Sequence, residues 1–242
     1  MVDPNRAGST QVILMGSILR CPGLICRWRY LAEPQYGACA MNITFATLFV
    51  CDGLYSRDDF VRWHAPFSAE PVVLIIAGGC AFSTWEFPNV TVRRIRKPTR
   101  TYNTLNPGYR FLRAKFEIWK LPYERVIYYD IDIFVKPPVR RCAHLCTGSF
   151  CAVRDPVAAM NLGIRGQPYF NAGFMVISPS QQIYNELMAT EQHGARFAEQ
   201  DTLNEYFKDR WQKLPKACNW LYYKENHPTA VTDPRVFAVH KL

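Results

Sequence analysis

Apolar residues along the chain fall into short unbroken blocks bounded by turn residues, which is how strands covered on both faces read. Residues 42–50, NITFATLFV, are β-branched and aromatic over a strand's length, and Cys51-Asp52-Gly53 ends them as a turn. Residues 72–77, VVLIIA, are wholly apolar and stop at Gly78-Gly79. A third strand is expected over 90–95, and a basic stretch, RRIRKPTR, occupies 93–100. Between the first two strands, Ser56 has the character of an N-cap for a helix over 57–64. Asp58 and Asp59 fall in its first turn, where the helix dipole favours acids.

Over 109–120, YRFLRAKFEIWK, the residues Phe111, Leu112, Phe116 and Trp119 recur at helical spacing, and Pro122 stops the run. This predicts a helix with Phe116 and Trp119 in the core. RVIYYDIDIFV, 125–135, reads as one strand with two aspartates near its carboxyl end, closed by Pro137-Pro138. Strands over 150–153 and 173–178 follow, with helices over 180–191 and 199–209; Ser180, behind Pro179, is placed to cap the first of these. Strand, helix, strand in that order predicts a single α/β domain, its central sheet mostly parallel with helices on both faces. The domain is expected to occupy 41–242, with 1–40 a leader or extension.

Composition narrows the function classes. Of 242 residues 49% are hydrophobic and 20% charged, which excludes a disordered chain. The formal charge of +9 fits a partner bearing phosphates: nucleic acid, an anionic membrane or a sugar nucleotide. No apolar run reaches the length of a transmembrane helix. Val12 to Cys26 faintly resembles a signal peptide but is broken by Arg20 and Pro22. Nine scattered cysteines, an odd number, read as reduced thiols of a cytoplasmic protein, with a secretory lumen the lesser alternative. Cys142 and Cys146 lack the second pair that a zinc site needs. Two N-x-[ST] sequons occur, Asn42-Ile43-Thr44 and Asn89-Val90-Thr91; the first lies at the start of an expected buried strand, a poor acceptor of glycan.

The candidate chemistry centres on Asp130-Ile131-Asp132. Residues two apart on a strand point to one face, so continued extension would project both carboxylates together. Two adjacent anions repel unless a cation joins them, and a divalent, oxygen-seeking ion such as Mg²⁺ or Mn²⁺ satisfies that demand while also bridging phosphate oxygens. In open α/β sheets ligands bind at the carboxyl ends of the strands.

With these residues in view, the chain resembles the family 8 glycosyltransferases, the glycogenin-like group with a GT-A fold. The resemblance rests on four motifs in order: LRAKFEIWKLPYERVIYYDIDIFVKPPV (112–139), YFNAGFMVISPS (169–180), EQDTLNEYF (199–207) and WQKLP (211–215). It implies that Asp130 and Asp132 hold Mn²⁺, or Mg²⁺, with the diphosphate of a UDP-sugar, and that His240 is the third ligand. It further implies that Lys115 lies near the donor sugar and phosphate, that Asn171, Ala172 and Gly173 line the donor sugar, and that Asp155 contacts it. Glu199 and Gln200 would sit beneath the anomeric carbon. Ile131 belongs to the same metal-and-nucleotide segment, Thr47, Leu48 and Phe49 would contact uracil and ribose, and Tyr55 would stack on the base.

What the resemblance implies is a retaining transfer of a hexose, from UDP-glucose or UDP-galactose, to an acceptor hydroxyl. Protein tyrosine, glycan, inositol and lipid headgroup all remain open as acceptors, as does a homodimer. No residue is assigned as nucleophile. Tyr222 and Tyr223 are candidates for self-glucosylation by location, and the family's further K-P-W motif would fall beyond Leu242. Two other readings stand beside this one. One is a catalytically impaired UDP-sugar-binding protein or a glycogenin-like, self-glycosylating priming protein; the other, a nucleic-acid-binding domain, is disfavoured, since no helix-turn-helix, RNP or zinc-finger signature is present.

Overall fold

The computed structural model describes residues 41–51, 56, 58, 60, 70–81, 88–102, 107–190, 196–221 and 227–240. The leader expected over 1–40, most of the helix expected over 57–64, Tyr55, Tyr222 and Tyr223 lie outside the described residues.

The apolar blocks become strands much as their pattern requires. β1 (Ile43–Val50) and β2 (Val72–Ala77) are buried along their whole length, β3 is Val90–Ile95, and β4 is Arg125–Tyr129. β6 is Phe150–Arg154, β7 Phe170–Ile177 and β8 Gln212–Lys213. Together they form a seven-stranded sheet in the order β3-β2-β1-β4-β7-β6-β8. β7 runs antiparallel to both its neighbours, and the other pairings are parallel. A second sheet of three short strands joins β5 (Ile133–Val135), β9 (Trp220–Leu221) and β10 (Ala238–His240) in the order β5-β10-β9.

Alternation along the strands divides the core between two faces. On one, Ala46, Leu48, Val126, Tyr128, Met175 and Ile177 pack with Phe116 and Trp119, with Leu187 of α3 (Gln181–Ala189) and Leu203 of α4 (Glu199–Tyr206). On the other, Phe45, Ile127, Phe174 and Val176 pack with Val139 and with Cys142 and Ala143 of α1 (Arg140–Leu145). The short helix α2 (Pro156–Asn161) follows β6, and α5 (His227–Thr232) precedes β10. The expected single α/β domain with helices on both faces is therefore the observed one. Ser180 caps α3 as its position foretold, its side chain accepting from the Ile183 amide.

Three expectations are corrected. The helix predicted over 109–120 is wound as 3₁₀ turns, Pro107–Tyr109 and Leu112–Lys120. Tighter winding brings residues three apart into line, which points Phe116 and Trp119 together into the core, and the segment also buries Arg113 and Lys115. The strand predicted over 125–135 is two strands in two sheets. β4 ends at Tyr129, and the Ile133 amide donates to the Asp130 carbonyl at 3.0 Å, closing a turn over Asp130-Ile131-Asp132. The apolar run hid this break, because β5 is buried too, in a different sheet.

The third correction concerns the cysteines. Cys51 is bridged to Cys80, Cys142 to Cys218, and Cys146 to Cys151, so all six described cysteines are paired. Two of the separations, 29 and 76 residues, carry no local signal, because those pairings are made by the fold; the third spans only 5 residues. The reading of reduced thiols fails, and the argument for a cytoplasmic location loses its premise.

Candidate active site

The site is assembled where β4, β7 and the second sheet meet. Asp130 follows the last residue of β4, and its amide donates to the Gly173 carbonyl of β7 at 2.7 Å. The turn carries Asp132 back toward β5, whose Ile133 pairs with His240 of the antiparallel β10. One carboxylate oxygen each from Asp130 and Asp132 and one imidazole nitrogen from His240 thereby lie within 4.8 Å of one another. His240 Nε2 is 3.6 Å from Asp132 Oδ1, and its buried Nδ1 has no hydrogen-bond partner. The two acids converge through a turn and not through strand alternation.

Gly173 makes this convergence possible. A Cβ at that position would overlap His240 Cε1 and come within 2.9 Å of Asp130 Oδ2 and Asn171 Oδ1. The reason is space and not backbone conformation, since Gly173 is not among the positive-φ glycines.

Behind Asp130 lies a buried charge cluster. Lys115 Nζ is 2.9 Å from Asp130 Oδ1 and 2.5 Å from Glu199 Oε1, and donates to the Ala172 carbonyl at 3.2 Å. Burial alone would lower the Lys115 pKa, but Asp130 and Glu199 outweigh it and the ammonium is held charged. One cation thus faces two carboxylates. Burial raises the pKa of Glu199, with Lys115 opposing and Asp130 adding to the rise; its Oε2 is buried without a partner. The Tyr128 hydroxyl donates to Asp130 Oδ1 at 2.7 Å.

Beside this cluster a neutral and acidic network links distant segments. Asp155 caps α2 through Oδ1, which accepts from the Ala158 amide, while its Oδ2 accepts from Asn171 Nδ2 at 3.1 Å and Gln200 Nε2 at 3.4 Å. Gln200 Oε1 accepts from the Ala172 amide at 2.9 Å, and Asn171 Oδ1 accepts from the Gly173 amide and from Asn219 Nδ2, each at 2.9 Å. Lys115, Asp130, Asp132, Asp155, Asn171, Ala172, Gly173, Glu199, Gln200 and His240 are accordingly brought together as one connected constellation.

The residues of β1 sit differently. Leu48 and Phe49 are packed in the core, and Thr47 is buried with its hydroxyl unpartnered. Ala46 pairs with Tyr128, so continuing that parallel register sets Leu48 level with Asp130. Ile131 packs with Phe49, Phe60, Leu74 and Ile76, leaving its backbone rather than its side chain for any ligand.

The model of glycosyl transferase family 8 matches residues 99–236, more than half of the chain. The chain belongs to glycosyltransferase family 8. Among curated relatives, galactinol synthase 1 of Solanum lycopersicum is 29% identical over 185 residues, covering 69% of this chain and 56% of that protein. Galactinol synthase 3 of Arabidopsis thaliana is 32% identical over 156 residues, covering 52% of this chain and 47% of that protein. The chain thus spans about half the length of the curated relatives it matches. Two solved glycosyltransferases share the fold. The galactosyltransferase LgtC, in complex with donor and acceptor sugar analogues, aligns with a TM-score of 0.56 at 16% identity, over 81% of this chain and 86% of that one. The apo form of GlyE from Streptococcus pneumoniae TIGR4 aligns with a TM-score of 0.57 at 17% identity, over 83% of this chain and 55% of that one.

In this family 8 chain, two carboxylates and an imidazole form a donor set that could hold a divalent metal ion. The unpartnered His240 nitrogen and the space kept open by Gly173 fit the same assignment. Sequence reasoning missed two members of the site. Tyr128 was legible, because it lies two residues before Asp130 within the D-x-D strand. Asn219, fully buried, was not: it follows a short 3₁₀ turn with no periodicity, and its partner Asn171 is 48 residues away.

Proposed function

We propose that this chain transfers a hexose from a UDP-sugar to an acceptor hydroxyl with retention of anomeric configuration, using Mn²⁺ held by Asp130, Asp132 and His240. The observation that carries the reading is the convergence of those three side chains within 4.8 Å, beside a buried network of Asp155, Asn171, Glu199 and Gln200. The names of the relatives, galactinol synthases, favour UDP-galactose over UDP-glucose as donor. Inositol is the acceptor most in keeping with them.

Asp130, Asp132 and His240 would hold a divalent ion, which would supply Lewis-acid stabilisation of the negative charge that builds on the departing diphosphate. Lys115, charged and buried, holds Asp130 and Glu199 in position. The network of Asp155, Asn171 and Gln200 is pinned to backbone at Ala158, Gly173 and Ala172, so its polar groups are oriented before substrate arrives and need no reorganisation as an oxocarbenium-like sugar develops. Thr47, Leu48 and Phe49 are assigned to the floor beneath the nucleoside.

The test is turnover of UDP-galactose and UDP-glucose with and without Mn²⁺, on the parent and on the double variant Asp130→Asn, Asp132→Asn. Metal-dependent release of UDP should fall to background in the variant, and UDP should raise the melting temperature of the parent only when Mn²⁺ is present. Undiminished turnover in the variant would overturn the proposal. UDP binding without sugar release in the parent would leave a binding protein instead.

A further inference from the structure

Two features of the chain take no part in sugar transfer and point the same way. The first is the set of three disulfides. Cys51–Cys80 joins the segments that follow β1 and β2, Cys142–Cys218 ties α1 to the 3₁₀ turn Lys216–Cys218, and Cys146–Cys151 ties the residue that follows α1 to β6. Structural bridges form and persist in oxidising compartments and are rare where glutathione keeps thiols reduced. The second is the sequon Asn89-Val90-Thr91. Asn89 lies in an exposed turn, and Thr91 is exposed on β3, the edge strand of the seven-stranded sheet.

We propose that the protein matures in an oxidising secretory lumen and carries an N-linked glycan on Asn89. In the modifying step the Asn89 carboxamide nitrogen bonds to the anomeric carbon of a lipid diphosphate-linked oligosaccharide. The carbon–oxygen bond to the diphosphate breaks, the lipid diphosphate leaves with the electron pair, and the amide proton passes to solvent. Each cysteine pair gives two electrons and two protons to a disulfide-donating oxidoreductase of the same compartment.

The structure separates this sequon from the other. Thr44, the third residue of Asn42-Ile43-Thr44, is 1% exposed and its hydroxyl donates to the Pro71 carbonyl. Asn42 itself heads the central strand, its amide donating to Glu124 and its carbonyl accepting from the Arg125 amide. A glycan there would crowd the junction of β1 and β4. At the other sequon Asn89 and Thr91 are both exposed, and the Asn89 backbone carbonyl accepts from the Val72 amide.

Position also makes the modification compatible with activity. Val90 pairs with Val72 at the amino-terminal end of the parallel strands, whereas Asp130 follows the carboxyl end of β4. A bulky, hydrated group at Asn89 therefore stands at the opposite end of the sheet from the candidate active site. At the head of an edge strand it also hinders the pairing with a second chain that an open edge invites.

The experiment is expression of the full chain in a eukaryotic cell, followed by amidase deglycosylation and by alkylation before and after reduction. The expected result is a fall in mass by one glycan with Asn89 converted to Asp, together with alkylation of Cys51, Cys80, Cys142, Cys146, Cys151 and Cys218 only after reduction. Asn89→Gln should abolish the mass change, and Asn42→Gln should leave it. An unmodified Asn89 on the folded, bridged chain, a glycan at Asn42 instead, or cysteines alkylated without reductant would each overturn the proposal.

Discussion

Gly173 shows how a single absent side chain shapes the site. Replacing it with Ala drives a methyl group into His240 and against Asp130 and Asn171, all three of them in the site, and none can withdraw without losing its partners. Overpacking of this kind costs about 1–3 kcal/mol. Gly173→Ala should therefore unfold at lower denaturant by about 2 kcal/mol and lose the metal-dependent rise in melting temperature. A variant that keeps both would show that His240 has room to move and that the site is looser than its contacts imply. What was legible at this scale follows a pattern. Asp130, Asp132, Lys115 and His240 stand in motifs that name them, whereas Asn219 is identified only by its bond to Asn171, across a separation that no linear pattern reports.

Elements were read well wherever one sheet or one helix face explains a whole run. β1, β2 and β3 lie within a residue of their expected bounds, because continuous burial gives a continuous apolar block. The same logic failed over 125–135, where two buried strands of different sheets abut and composition cannot show the turn between them. It also failed to tell α from 3₁₀ winding over 112–120, since apolar recurrence at three and four residues serves both. Local capping chemistry is a more reliable signal than either. Ser180→Ala removes the oxygen that accepts from the Ile183 amide, and should cost about 1 kcal/mol in chemical denaturation with turnover unchanged, because α3 carries none of the site residues. Lost turnover at full stability would mean that α3 positions the site through Leu187 and the 3₁₀ segment beneath it.

At the scale of the molecule, α4, which carries Glu199 and Gln200, is held in place by distant parts of the chain. The Tyr102 hydroxyl is 3.1 Å from Thr202 Oγ1 over a separation of 100 residues, and the Tyr169 hydroxyl donates to Asp201. Asn204 completes the attachment by bonding the backbone of Phe170 in β7. Both tyrosines are buried, and burial raises both pKa values above the usual 10.0. The folded chain therefore keeps the phenol protons after the unfolded chain has released them. A raised pKa contributes stability in full below the unfolded value, and that stability is lost as pH climbs above about 10. Each such tyrosine adds up to about 1.4 kcal/mol per pH unit to the alkaline decline. The double variant Tyr102→Phe, Tyr169→Phe should show a shallower decline above pH 10 in denaturant titrations, with Tyr128 and Tyr129, also buried and raised, accounting for part of what remains. An unchanged alkaline limb would mean that α4 already detaches from the sheet before the phenols ionise, and that the helix bearing Glu199 is held less firmly than the core around it.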